Sequence, residues 1–240
     1  MTYIIAECGI NHNGDMSLAL KLIDAAVKAK ADAVKFQLYK SELLVPEGEK
    51  REMLRQYQLS PVQMRTLHSY CHQYGIEFLC TPFDIDSVDA LEKLVKTYKI
   101  GSGQANDIMF LDHVASKEKP IILSTGMSDF ADIRHVLGAL DMPVTLLHCV
   151  SLYPTPPEKA NLQRMIQMQE SFAAPIGYSD HTEGIDIALA AVALGAVVIE
   201  KHLTLDKSMP GPDHKASITP DELVALVAGA RRIEAALEPL

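Results

Sequence analysis

Short β-branched apolar runs alternate along the chain with amphipathic stretches of about a dozen residues, and the hydrophobic period switches between two and about 3.6 throughout. The alternation predicts strands at Tyr3 to Glu7, Ala33 to Gln37, Ile76 to Cys80, Thr97 to Gly101, Pro120 to Ser124, Val144 to Cys149, Pro175 to Ser179 and Ala196 to Glu200. Helical periodicity predicts helices over 17–30, 61–75, 86–95, 107–118, 129–139, 161–171, 183–194 and 220–237. Ser17, Ser60 and Thr219 stand where a side-chain oxygen can cap a helix, and Pro61 and Pro220 suit a first turn. Strand-then-helix units of this number in 240 residues match a (β/α)8 TIM barrel, for which ~250 residues is typical. The expected organisation is a single barrel domain over residues 1–240, since no linker, repeat or low-complexity tract interrupts the pattern.

Barrel active sites gather at the C-terminal ends of the strands, and every predicted strand ends in polar residues: Glu7, Lys35 with Gln37, Thr81, Lys99 with Ser102, Ser124, His148 with Ser151, Ser179 with His181, and Glu200 with His202. A strand turns i and i+2 to one face, so Ser179/His181 and Glu200/His202 predict two imidazoles emerging side by side, each above an oxygen-bearing companion. Such a pair with open coordination positions suits a catalytic divalent ion acting as a Lewis acid. Lys35 and Lys99 lie inside apolar runs, where an unpaired ammonium is costly. Either Glu7 and Glu200 pair with them structurally, or an anionic ligand meets them, aided by the turns Gly101-Ser102-Gly103 and Ser124-Thr125-Gly126. A Schiff-base lysine is the rival chemistry, and the histidine pair argues against it.

The remaining histidines divide by position. His68, His72, His113 and His135 fall on helices, whereas His12, His148 and His214 are placed to support the site. The composition, 48% hydrophobic and 22% charged, suits a globular enzyme. No apolar run approaches the ~20 residues of a membrane span, and the start lacks the basic region of a signal peptide, so the expected location is cytoplasmic with no membrane partner. Cys8, Cys71, Cys80 and Cys149 show no CxxC spacing and read as reduced core residues. A net charge of −9 disfavours nucleic acid as a partner.

A series of ordered motifs carries a family resemblance: Ile5-Ala6-Glu7-Cys8-Gly9-Ile10-Asn11-His12-Asn13-Gly14, Val34-Lys35-Phe36-Gln37, Thr81-Pro82-Phe83, Lys99-Ile100-Gly101-Ser102-Gly103, Leu123-Ser124-Thr125-Gly126-Met127, His148-Cys149, Tyr153-Pro154, Ser179-Asp180-His181-Thr182, Glu200-Lys201-His202 and Gly211-Pro212-Asp213-His214. From about residue 3 to 237 the chain resembles the catalytic barrel of the sialic acid synthase (N-acetylneuraminate synthase) family. The resemblance implies condensation of phosphoenolpyruvate with an aldehyde sugar, N-acetylmannosamine or a related hexosamine, to give a nonulosonic acid and phosphate. It implies His181 and His202 as ligands of Mn2+ or Mg2+, and Lys35, Thr81, Lys99, Ser102, Ser124, Ser151 and Ser179 around phosphoenolpyruvate. Glu7, Lys35 and Glu200 take catalytic roles, the two carboxylates managing protons and water, and Gln37, Tyr153 and Asp213 face the sugar.

Two departures fall on the sugar side. The family commonly continues into a small antifreeze-like domain that reaches over the partner's active site in a dimer, and the chain as given ends before it. A shortened chain, a separate antifreeze-like cap polypeptide and an acceptor needing no N-acyl clamp all fit, and a homodimer through the barrels stays open. Gln104 also stands where the resembling enzymes commonly carry an acid. The alternatives to the synthase are a metal-dependent pyruvate aldolase and a non-catalytic barrel that binds a phosphorylated acid.

Overall fold

The computed structural model describes residues 1–238, and Pro239 and Leu240, the last two positions of the expected domain, lie outside the described residues. Eight parallel strands, β1 (Tyr3–Gly9), β2 (Ala33–Leu38), β3 (Glu77–Pro82), β4 (Tyr98–Ile100), β5 (Ile121–Ser124), β6 (Val144–Cys149), β7 (Ile176–Asp180) and β8 (Val198–His202), form one sheet in the order β3-β2-β1-β8-β7-β6-β5-β4. Strands β3 and β4 pack side by side without a registered ladder and complete a nearly closed cylinder. Around it run α1 (Met16–Ala29), α2 (Ser41–Leu44), α3 (Glu49–Tyr57), α4 (Pro61–Tyr74), α5 (Ile85–Leu91), α6 (Ile108–Ala115), α7 (Phe130–Ala139), α8 (Leu162–Ser171), α9 (Asp186–Ala193) and α10 (Pro220–Leu237). This is the expected (β/α)8 barrel.

The eight expected helices are present, several of them shorter, and α2 and α3 are additional. Helix α3 is charged along most of its length and buries only Leu54, so it carries little apolar periodicity to read. Ser60 and Thr219 cap α4 and α10 in reciprocal boxes with Gln63 and Glu222. At α1 the cap is Asp15, whose carboxylate accepts from the Ser17 amide, and not Ser17 itself. Helix α9 starts later than the periodicity suggests because Gly184 takes a left-handed conformation, φ +70°, ahead of it.

Alternation across each strand builds the barrel interior in layers. Ile5, Ala33, Leu79, Ile122, Leu147 and Val198 form an apolar plug inside the cylinder. Two residues further along the same strands come Glu7, Lys35, Thr81, Ser124, Cys149 and Glu200, all buried. On β7 the plug layer holds Gly177, where a Cβ would stand 2.5 Å from the Val198 carbonyl oxygen and 2.7 Å from Leu147. The opposite faces of the strands, such as Ile4, Ala6, Val34, Phe36, Ile100 and Ile199, join the helices in the main core. The plug therefore forms a floor on which the polar layer stands.

Candidate active site

A cavity opens on that floor, lined by Glu7, Lys35, Gln37, Thr81, Lys99, Ser102, Ser124, Ser151, Tyr153, Ser179, His181, Glu200 and His202. The fold thus brings thirteen of the fourteen expected site residues to one cavity. Asp213 does not line it, but its carboxylate lies 3.8 Å from His202 Nδ1, at the edge of the loop after β8. Sequence reasoning had assigned no role to Phe83, Met127 or Cys149, which also line the cavity. For Cys149 the signal was parity, since it lies two residues beyond the plug residue Leu147.

His148 does not join the site. One residue on from Leu147, it faces outward, where its Nε2–H donates to the Ala160 carbonyl at 2.9 Å and its ring packs against Tyr178. His12 accepts from the Gly14 amide, and Thr204 with Asn13 hold the His214 ring, so neither reaches the cavity. Gln104 is likewise absent from the lining; its buried Oε1 has no hydrogen-bond partner and lies beneath Gly101. The four cysteines are free and buried.

Charge is concentrated around Lys35. Its ammonium lies 3.0 Å from Glu7 Oε2 and 3.6 Å from Glu200 Oε2 and donates to Thr81 Oγ1 at 2.9 Å. Lys99 donates to Ser124 Oγ at 2.7 Å and stands 3.7 Å from Glu200 Oε1. Gln37 donates to Glu7 Oε1 at 2.9 Å, and Ser179 donates to Glu200 Oε1 at 3.0 Å. Lys35 and Lys99 thus form the expected ion pairs with Glu7 and Glu200 and at the same time line the cavity.

The two carboxylates are driven apart. Burial dominates at Glu7 and, with the Glu200 charge beside it, lifts its pKa to about 7 against the pull of Lys35. Burial also acts to raise Glu200, but Lys35 and Lys99 together outweigh it and hold the group at about 2. Glu200 is therefore a fixed anion, while Glu7 exchanges a proton near neutrality, the division of labour expected of an acid–base pair in unequal surroundings. Burial lowers the Lys99 pKa, and Glu200 opposes that shift.

Beside Lys99, the loops after β4, β5 and β6 add hydroxyls and glycine turns to the cavity wall. Ser102 Oγ accepts from the Gly126 amide at 3.0 Å and lies 3.2 Å from Cys149 Sγ. A Cβ at Gly126 would stand 2.7 Å from that sulfur and 2.8 Å from Ser151 Oγ, so glycine is what lets the three loops meet.

His181 and His202 approach with ring centroids 5.6 Å apart, under the ring of Tyr153, which lies 4.0 Å from His181. The Nδ1–H of His181 donates to the Val150 carbonyl at 2.7 Å, which fixes the tautomer and leaves Nε2 as a lone-pair donor. His202 Nδ1 is buried and has no hydrogen-bond partner. Burial lowers both imidazoles to a pKa of about 4, so both are neutral at pH 7, the state a metal ligand requires. Among the described residues no group of three or more His, Cys, Asp or Glu side chains is arranged to hold a metal. Two neutral imidazoles side by side are donors of the kind that would suit a divalent ion, with His181 and His202 as the residues that would hold it.

Against known proteins, the NeuB family model matches residues 22–239. The chain is 43% identical to an N,N'-diacetyllegionaminic acid synthase of Campylobacter jejuni, over 98% of this chain and 77% of that enzyme. It is 39% identical to the N-acetylneuraminate-9-phosphate synthase of Mus musculus, over 98% of this chain and 71% of that enzyme. Among solved structures, the N-acetylneuraminic acid synthetase of Leptospira borgpetersenii in complex with citrate superposes with a TM-score of 0.96 at 38% identity, covering all of this chain and 87% of that one. Barrel fold and sequence agree in one conclusion: the chain belongs to the NeuB family.

Proposed function

We propose that the protein condenses phosphoenolpyruvate with the aldehyde form of an N-acetylmannosamine-type sugar, giving a nonulosonic acid and phosphate. The observation that carries this reading is the pairing, on one cavity floor, of two buried lysines with two carboxylates of opposite protonation preference beneath two neutral imidazoles.

Phosphoenolpyruvate carries a carboxylate and a phosphate that repel each other. Lys35 and Lys99 bind them, and the hydroxyls of Thr81, Ser102, Ser124, Ser151 and Ser179 donate to their oxygens. His181 and His202 would hold a divalent ion, Mn2+ or Mg2+, which would supply Lewis acidity toward the aldehyde oxygen. Gln37, Tyr153 and Asp213 orient the sugar so that its aldehyde carbon faces C3 of phosphoenolpyruvate. The new C–C bond leaves positive charge at C2, which the fixed anion Glu200 stabilises. Glu7 takes a proton from the water that adds to C2, and the alkoxide left by the aldehyde takes up a proton in turn. The adduct's C2–O–phosphate bond then breaks as its C2 hydroxyl gives up its proton to the departing phosphate.

The relatives' names differ in the sugar, one a diacetylated legionaminic acid and another a 9-phosphate, so the acceptor is to be found by experiment. Phosphate release from phosphoenolpyruvate is measured with Mn2+, with and without a panel of aldehyde sugars including N-acetylmannosamine, and with product masses recorded. The expected result is acceptor-dependent release with an adduct of matching mass. Formation or cleavage of the same C–C bond without phosphate release would instead identify a pyruvate aldolase, and binding without turnover would identify a sensing barrel.

A further inference from the structure

Asp180 and Lys201 are both fully buried and are register partners on β7 and β8, and neither lines the cavity. Each lies between two residues that face the cavity: Asp180 between Ser179 and His181, Lys201 between Glu200 and His202. By strand alternation the pair occupies the outer face of the two strand ends whose inner face presents the imidazoles.

The contacts are directional. Lys201 Nζ donates to Asp180 Oδ2 at 2.7 Å and also to the Thr182 carbonyl, while Asp180 Oδ1 accepts from the Thr182 amide at 2.9 Å. Strand β7 ends at Asp180, so His181 stands at the first position past the ladder. The residues immediately before and after it are both tied to Lys201, the neighbour of His202. Packing alone does not demand charges there, since an apolar pair of similar volume serves a buried position as well or better.

We infer that the Asp180–Lys201 pair is a positioning device that fixes the spacing of His181 and His202 and thereby sets the affinity of the site for a divalent ion. The inference rests on the metal reading above. A partner hydrogen-bonded to a metal-binding histidine is worth about 10–100-fold in metal affinity, and the pair, which holds the backbone at His181 rather than its ring, is expected to act within that range.

Mn2+ binding to the purified protein is titrated by the loss of the free-ion EPR signal, for the parent, for the Asp180→Asn/Lys201→Met double variant, and for Arg231→Met, which breaks the Asp32–Arg231 pair remote from the cavity. The expected result is an affinity about 10–100-fold weaker in the double variant, with a cooperative melt retained, and a parent-like affinity in Arg231→Met even where it melts lower. Parent-like Mn2+ affinity in the double variant overturns the inference. Absence of Mn2+ binding by the parent overturns the metal reading, and this inference with it.

Should the double variant fail to fold, hydrogen exchange in the parent gives the same decision. The Thr182 amide is expected to exchange slowly without metal, the turn being set in advance by the pair. Fast exchange that slows only on adding Mg2+ would show the metal building the turn, and would overturn the inference.

Discussion

Two buried charge clusters lie back to back across β7 and β8, and they are built on opposite principles. On the outer face, both Asp180 oxygens and the Lys201 ammonium, the charged atoms, find partners within the protein, and only the neutral Thr182 hydroxyl beside them is left without one. On the inner face, Glu200 Oε2 and His202 Nδ1 are buried without a hydrogen bond, and the Lys99–Glu200 contact is loose at 3.7 Å. A saturated cluster holds backbone in place, whereas an unsaturated one keeps capacity for something not yet bound. The difference separates scaffold from chemistry where composition and burial do not.

The contrast breaks most decisively at the imidazoles. The His181→Ala/His202→Ala double variant is expected to lose saturable Mn2+ binding and about 10²–10³-fold or more of its acceptor-dependent phosphate release. Retention of both would remove the metal from the site. The plug offers the opposite test: Leu147→Ala is expected to lower unfolding free energy by about 2–5 kcal/mol while the Mn2+ affinity of the folded fraction stays at the parent value, measured by denaturant titration and EPR.

Acid sharpens the line between supporting and reacting groups. Burial lowers the His12 pKa to about 4 from an ordinary 6.5, so the folded state binds its proton less readily than the unfolded chain does. The stability this neutral ring contributes is complete above pH 6.5 and is lost as pH falls toward 4, on the order of 3 kcal/mol in all. His181 and His202 act in the same direction. His12→Asn preserves an acceptor for the Gly14 amide without titrating, so its stability deficit should shrink between pH 7 and 4.5; a constant deficit would refute the assignment.

Lys99→Ala is expected to weaken phosphoenolpyruvate binding by about 10–100-fold, as loss of one charge-assisted contact. Unchanged affinity by calorimetry would move Lys99 to the structural side of the comparison. Smallest is Thr219→Ala, which removes a helix cap far from the chemistry and should cost about 1 kcal/mol in thermal unfolding with kinetics untouched.

Much of this molecule was legible because the barrel ties chemistry to strand ends. Once the strands were located, Glu7, Lys35, Lys99, Ser124, Ser179 and Glu200 stood out as polar interruptions of apolar runs. What escaped was parity and partnership. His148 and Cys149 share a strand end, yet Leu147 in the plug sends the cysteine inward and the histidine outward, a distinction that nearness to the end does not make. Asp180 and Lys201 sat inside the same two motifs as His181 and His202 and were overshadowed by them. Helices α2 and α3 were invisible because too few of their residues are buried to impose a period.

The plug that supports the polar layer also makes the barrel a vessel closed at the bottom. Whatever rests on Lys35 and Lys99 must pass Tyr153, His181 and His202 to arrive, and an acceptor seated at that level blocks the way behind it. If the proposed donor rests on the lysines, traffic through this dead end is expected to be sequential, the donor loading before the acceptor and an acceptor bound too early acting as a dead-end inhibitor. Rate should then fall at high sugar concentration, and the fall should be relieved by raising phosphoenolpyruvate.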